Sequence, residues 1–236
     1  MNKIKNLIAT MFNAEKKDNK TGEYIFSGLH LTTNHTGKMT GMYSLSTSCK
    51  QNAHCVERSK NPFSICSECY AITMSNNYSS LDKCLIRNTE ILTSEILDTN
   101  KLPFINAHSF RFESFGDLNN SIQVINYFNI CRKNPAVNFA IWTKNPIYIH
   151  EAIKKHGYEK PDNLVIIYSS PIINRPVKLE KIKKVFSFID KVFTVYDSAE
   201  KAAENNVTIN CGSKNCIECL TCYRHNNINV INELLK

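Results

Sequence analysis

From residue 80 onward, apolar positions recur with two alternating periods. Ser80–Asp98 reads as a helix with Leu81, Leu85, Leu92 and Ile96 along one face and Cys84 and Ile91 beside it. After Pro103 the pattern switches to runs of about two-residue period, the signature of strands with one or both faces buried. Phe104–Glu113, Val137–Thr143, Leu164–Ser170 and Val192–Tyr196 read as strands. Between and after them lie helical segments at Ser121–Lys133, from Asn145–Pro146, near Leu179–Phe188 and from Ser198. In the first of these helices Val124, Ile125, Phe128 and Cys131 face inward. Asn145 suits an N-cap and Pro146 the first helical turn. Strands that alternate with helices of this length call for right-handed crossovers and a parallel sheet. The expected fold is therefore α/β, an open sheet or a partial β/α barrel over residues 104–206.

Residues 21–79 differ. They are rich in Ser, Thr, Asn, Gly and Cys and show little periodicity, as expected of loops and short strands wrapped around a bound centre. Residues 207–236 form a second cysteine-rich segment, read as a tail. The 236 residues thus read as one α/β domain, 1–236, with a cysteine-rich stretch on either side of the periodic core. Residues 1–12, MNKIKNLIATMF, place lysines before a short apolar run. That run is broken by Thr10, has no small-residue cleavage site and leads into Glu15–Asp18, so an amphipathic segment is expected rather than a signal peptide. No stretch approaches the roughly 20 apolar residues that span a bilayer, and a cytoplasmic protein without a membrane partner is the expectation.

That compartment changes how the ten cysteines are read, because cytosolic thiols stay reduced and clustered ones bind metal more often than they pair. Cys211, Cys216, Cys219 and Cys222 follow a C-x4-C-x2-C-x2-C spacing. The C-x2-C-x2-C run is that of ferredoxin-type ligation, in which short loops let successive thiolates reach different irons of one cube. Zinc ribbons instead bring two C-x2-C pairs from separate hairpins. Cys49, Cys55, Cys66 and Cys69 supply a second set of four soft ligands, with His54 as a substitute donor. One or two 4Fe–4S clusters are expected, with zinc as the alternative, and the two sets have the option of a shared site. Cys84 and Cys131 sit on helix faces and read as small buried hydrophobes.

The candidate catalytic residues are His108, Arg111, Glu113 and Asp117 in HSFRFESFGD, together with Lys144 after the next strand. Alternation places Arg111 and Glu113 on one side of their strand. A structural ion pair between them, and a helix cap by Asp117, is the competing reading. Three successive strand ends, closing in Asp117, Lys144 and Ser169–Ser170, offer an acid, a cation and hydroxyls for one pocket. The net charge of +8, with lysines bunched at 154–155 and 178–184, suits a phosphate-bearing partner such as a nucleotide or nucleic acid as well as it suits solvated helix faces. G-x-G-x-x-G and P-loop motifs are absent, which argues against a Rossmann dinucleotide site or a nucleoside triphosphatase. The competing function is a non-catalytic, zinc-stabilised nucleic-acid-binding protein.

Cys49…Cys55…Cys66-x2-Cys69-Tyr70-Ala71, Asn77-Tyr78, Arg87-Asn88, Arg111…Gly116-Asp117, Asn134-Pro135, Trp142-Thr143-Lys144 and the cysteine-rich tail together resemble the phage gene product 88-like family over about residues 40–223. The resemblance implies a phage or mobile-element protein and no particular reaction. The chain is more distantly similar to radical S-adenosylmethionine enzymes, which pair a partial β/α barrel with a cysteine-bound cluster. Their C-x3-C-x2-C loop is absent here, so an open iron implies that one of Cys49, Cys55, Cys66 and Cys69 is not a ligand.

Overall fold

The structure, a computed structural model, describes residues 14–17, 24–26 and 28–235. The expected amphipathic segment at residues 1–12 lies outside them. A two-stranded antiparallel pair, β1 (Ala14–Lys17) and β2 (Tyr24–Phe26), precedes the main sheet. That sheet has six strands, all parallel and in sequential order: β3 (Tyr43–Leu45), β4 (Ser109–Phe112), β5 (Asn138–Thr143), β6 (Leu164–Ser169), β7 (Lys191–Tyr196) and β8 (Val230–Leu234). It is open, with β3 and β8 at its edges, and no closed barrel forms among the described residues.

Three helices, α1 (Ala53–Ser59), α2 (Tyr70–Asn77) and α3 (Ser79–Ser94), occupy the first crossover. Then α4 (Ser121–Lys133), α5 (Ile147–Lys154), α6 (Leu179–Lys183) and α7 (Ala199–Glu204) follow β4, β5, β6 and β7 in turn. The bounds of α4 coincide with the expected helix, because Asn120 caps it by accepting from the Gln123 backbone N–H. The strand foreseen from Phe104 begins only at Ser109, and the helix near Leu179 stops at Lys183. Pro146 immediately precedes α5, one position before the helical start expected of it.

Strict alternation explains how the sheet is buried. Phe139 and Ile141 of β5, and Leu164 and Ile166 of β6, join Val124, Phe128 and Ile149 in the core on the helical side. Ala140, Val165 and Ile167 point the other way and pack with Met42, Ile231 and Tyr223. Both faces are thus apolar, as parallel strands require. The helices of successive crossovers pack on one face, whereas the second face is covered by the segment around Met39–Met42 and by the cysteine-rich stretch before β8. The expected tail is therefore an integral part of the fold, since the chain re-enters the sheet as β8 alongside β7.

Buried asparagines fasten the irregular connections. Asn126 donates to Leu92 and Glu95 carbonyls and accepts from Leu97 N–H. Asn134 donates to Pro103 and Ile130 and accepts from Ile105 N–H at 2.7 Å. Such groups satisfy backbone that has left a ladder and would otherwise be buried without partners. No helix among the described residues is long and apolar enough to cross a membrane. Replacing Asn134 by Ala strands these backbone groups and should cost about 1–3 kcal/mol, measured as a lowered urea midpoint at unchanged m-value.

Candidate metal centres at the carboxyl edge and on the open face

Beyond Leu45 the chain runs off the carboxyl edge of β3 into Ser46–Cys49. Asn52 holds this loop: its side-chain amide donates to the carbonyls of Asp117 and Leu118, and its oxygen accepts from Cys55 N–H, capping α1. Further on, Ile65 N–H and the Ser64 hydroxyl donate to the Pro171 carbonyl just past β6, and the Ser64 oxygen accepts from Cys66 N–H. The Tyr70 hydroxyl donates to the Ser114 carbonyl beyond β4. The cysteine-rich stretch is thereby pinned across the carboxyl ends of β3, β4 and β6. It contains α1 and α2, which lack the periodicity that would have revealed them.

The pinning makes neighbours of Cys49, Cys55, Cys66 and Cys69. The Cys49 thiol donates to Cys69, and Cys55 lies within electrostatic reach of Cys49 and Cys66. Accepting from Cys49, and then from the Ile72 and Ala71 N–H groups at the start of α2, draws the Cys69 thiol down to about 6 against burial. The same Cys49 hydrogen bond, followed by burial, pushes Cys49 well up, while burial and then Asp117 push Cys55 up. His54 is kept neutral chiefly by burial, and its Nε2 accepts from Arg58 Nε at 2.8 Å, so that nitrogen is engaged.

The second set lies on the open face of the sheet. Cys211 bridges to Glu233 beside β8, and its N–H donates to the Asn232 carbonyl. Cys216–Cys219 form the single helical turn α8, closed by Leu220 in a left-handed conformation, φ 52°. Cys211, Cys216 and Cys222 pack against the apolar residues of that face, and Cys219 is exposed. Cys222 is within reach of the other three thiols, and burial pushes it up. The Lys38 ammonium donates to Cys211 Sγ at 3.6 Å and pairs with Glu233.

All ten cysteines are free thiols. Among the described residues no three His, Cys, Asp or Glu side chains are drawn into a ready-made metal cage. The donor chemistry nevertheless fits: each set offers four soft sulfurs on short segments, next to a cation, Lys144 at the first and Lys38 at the second. Cys131 is fully buried in the helical-side core, as its place on the apolar face of α4 predicts, and Cys84 is half-buried on α3.

The candidate catalytic residues separate. His108 is exposed at the amino end of β4, where its carbonyl accepts from Asn138 N–H, so the structure does not bring it to the others. Arg111 faces the open side, its guanidinium 4.3 Å from the Trp142 ring centroid. Glu113 does not share that side. Its φ of 54° breaks the alternation and turns the carboxyl back toward α4, where Gln123 Nε2, the Tyr127 hydroxyl, and Thr47 N–H and Oγ1 all donate to it. The Arg111–Glu113 ion pair of the competing reading does not form. Nor does Asp117 cap a helix, a role that Asn120 fills. Asp117 ties the β4 loop to β5 by accepting from Leu118 N–H, Thr143 Oγ1 at 2.6 Å and Lys144 N–H at 2.9 Å.

Asp117 and Lys144 do lie at the carboxyl edge, within reach of Cys55. A cavity of about 340 Å³ opens on the helical side, between His150, Lys154, Tyr158 and Val185. Gly116 explains how closely the loops approach, since a Cβ there would meet the Thr47 carbonyl oxygen at 2.6 Å and its φ is +79°. Asn52 and Ser64, which place both halves of the first cysteine set, escaped the sequence reading. The Asn-Ala-His-Cys capping pattern was the available signal for the former.

Burial pushes the Glu113 carboxyl up to about 8, against its hydrogen-bond donors. The folded state then holds a proton that the unfolded chain releases near its ordinary value of 4.5. Stability attributable to Glu113 is accordingly full below about pH 4.5 and declines as pH rises toward 8, by at most about 1.4 kcal/mol per unit. Glu113→Gln should flatten this part of the stability–pH curve from pH 5 to 8, as followed by chemical denaturation at each pH.

No curated protein and no solved structure matches the chain significantly. A family model, gene product 88, matches residues 6–234, a longer stretch than the motifs alone had indicated and one that takes in both cysteine sets and all six strands of the sheet. On that match the chain belongs to the phage gene product 88 family.

Proposed function

We propose that this chain is an iron–sulfur protein of the reducing cytoplasm, with a 4Fe–4S cluster on Cys49, Cys55, Cys66 and Cys69 serving an enzymatic reaction on a nucleotide or nucleic-acid substrate. The observation that carries this reading is the gathering of four thiols, with Lys144 and Asp117, at the carboxyl edge of an all-parallel sheet. Loops at that edge collect side chains distant in sequence, and chemistry in such folds concentrates there. When bound, a cluster supplies one-electron chemistry. The chain's own residues do the rest. Cys69, already inclined to the thiolate, offers the first ligand; Asn52 and Ser64 hold the two ligand-bearing segments; Lys144 presents a cation suited to a phosphate. Ligation would draw in thiols that now stand as neighbours, because metal binding and local ordering are one process.

The packing of Cys211, Cys216 and Cys222 onto the apolar open face favours a fastening role for the second set. Zinc serves that role as well as iron does, and with zinc at both sets the reading becomes that of a non-catalytic nucleic-acid-binding protein.

Anaerobically prepared or reconstituted protein should be brown, absorb broadly near ~400 nm and contain iron and sulfide. Stoichiometric zinc with no iron after anaerobic reconstitution would overturn the iron–sulfur reading. Alanine at Cys216, Cys219 or Cys222 should lower metal content and loosen the segment before β8, whereas Cys131→Ala and Cys84→Ala should leave metal content unchanged. Elemental analysis of the purified variants decides this, and metal loss in Cys84→Ala would assign that thiol as a ligand.

A further inference from the structure

On the open face Arg111 is a cation without a counter-ion. Its Nε is buried and has no hydrogen-bond partner, and NH1 reaches only the Met39 sulfur at 3.4 Å. No carboxylate pairs with it among the described residues. Close by, the hydroxyl of Tyr223, a residue 2% exposed, is also buried without a partner, and its ring meets the edge of the same Trp142 that the guanidinium covers. The cation–π contact with Trp142 offsets only part of what desolvation costs a guanidinium. The other cation of this face, Lys38, is already neutralised by Glu233. Two buried donors on this face therefore lack an acceptor, and the thiols of Cys216 and Cys222, packed on the same face and within electrostatic reach of Arg111, are able to become anionic.

We infer that Arg111, with Tyr223 beside it, is the charge-compensating residue of the Cys211–Cys216–Cys219–Cys222 centre, and that its missing counter-ion is the anionic metal–thiolate group formed when that centre is loaded. Four thiolates around one divalent ion carry a net charge of −2, so a buried site of this kind needs a nearby cation or hydrogen-bond donors to the sulfurs. Arg111 acts through the ligands and is a positioning residue. The inference rests on the proposal that this set binds metal, though it holds for zinc and iron alike.

The same logic predicts that the sign of the Arg111 effect depends on metal. In metal-free protein the unpaired guanidinium is a burden, so Arg111→Met, which keeps an apolar stem over Trp142, should raise the thermal midpoint of the apo chain. In loaded protein the same substitution should lower the midpoint and weaken metal binding at this set by roughly 10–100-fold, the range found for groups that hydrogen-bond to metal ligands. Arg111→Lys should restore most of that affinity.

The experiment titrates the full reduced chain anaerobically with Co(II) against a chelator, following the sulfur-to-cobalt charge-transfer band. The Cys216→Ala protein identifies the share of the signal due to this set, and melting curves are taken with and without metal. Binding by Arg111→Met equal to that of wild type would overturn the inference and leave the metal reading standing. A destabilised or unfolded apo Arg111→Met would also overturn it, because the guanidinium would then be needed for stacking alone. Wild-type protein that binds neither Co(II) nor reconstituted iron at this set would remove both readings together.

Discussion

Everything in this structure follows from the one-sided layering of a singly wound parallel sheet. Sequential strand order forces each crossover in the same direction, so the helices of the core accumulate on one face. The other face still carries the apolar partners of each strand, among them Ala140, Val165 and Ile167. Something else must bury them. The chain meets that need with a short stretch of low helix content, the Cys211–Tyr223 segment, held to the sheet by Tyr223, Leu220 and three of its cysteines. A cover so small has little core of its own, which is the circumstance in which metal ligation contributes most to order.

The carboxyl edge is organised by polar contacts rather than by apolar packing. Asn52, Ser64 and Asp117 each satisfy backbone groups from a different crossover. Together they hold Cys49, Cys55, Cys66 and Cys69 over the ends of β3 to β6. Beneath them the Glu113 carboxyl, turned inward by a left-handed residue, collects donors from β3's loop and from α4. This network joins the first cysteine set to the helical layer, so its geometry is coupled to the main core.

Arg111 and Glu113 show what one backbone torsion does to a site. With extended conformation at residue 113 the two would face the same side and neutralise each other. The positive φ separates them. The carboxyl enters a hydrogen-bonded pocket on the helical side, and the guanidinium stays on the open face beside the second cysteine set. The separation leaves the open face with a cation that no carboxylate among the described residues neutralises.

The α/β class, the alternation of strands and helices from residue 109 to 204 and the bounds of α4 were legible in the sequence, because period and capping are local properties. The two cysteine sets were legible too, since spacing is written in the chain. Three things were decided only by tertiary structure. One is the place of β8, five residues with no local cue that they pair with β7. Another is the side to which Glu113 points, which turns on a single φ that the alternation rule takes to be extended. The last is which cysteine set lies at the carboxyl edge and which covers the open face, for it depends on hydrogen bonds from Asn52 and Ser64 to loops more than 60 residues away. Periodicity reports what a residue buries; only the folded chain determines what it is buried against.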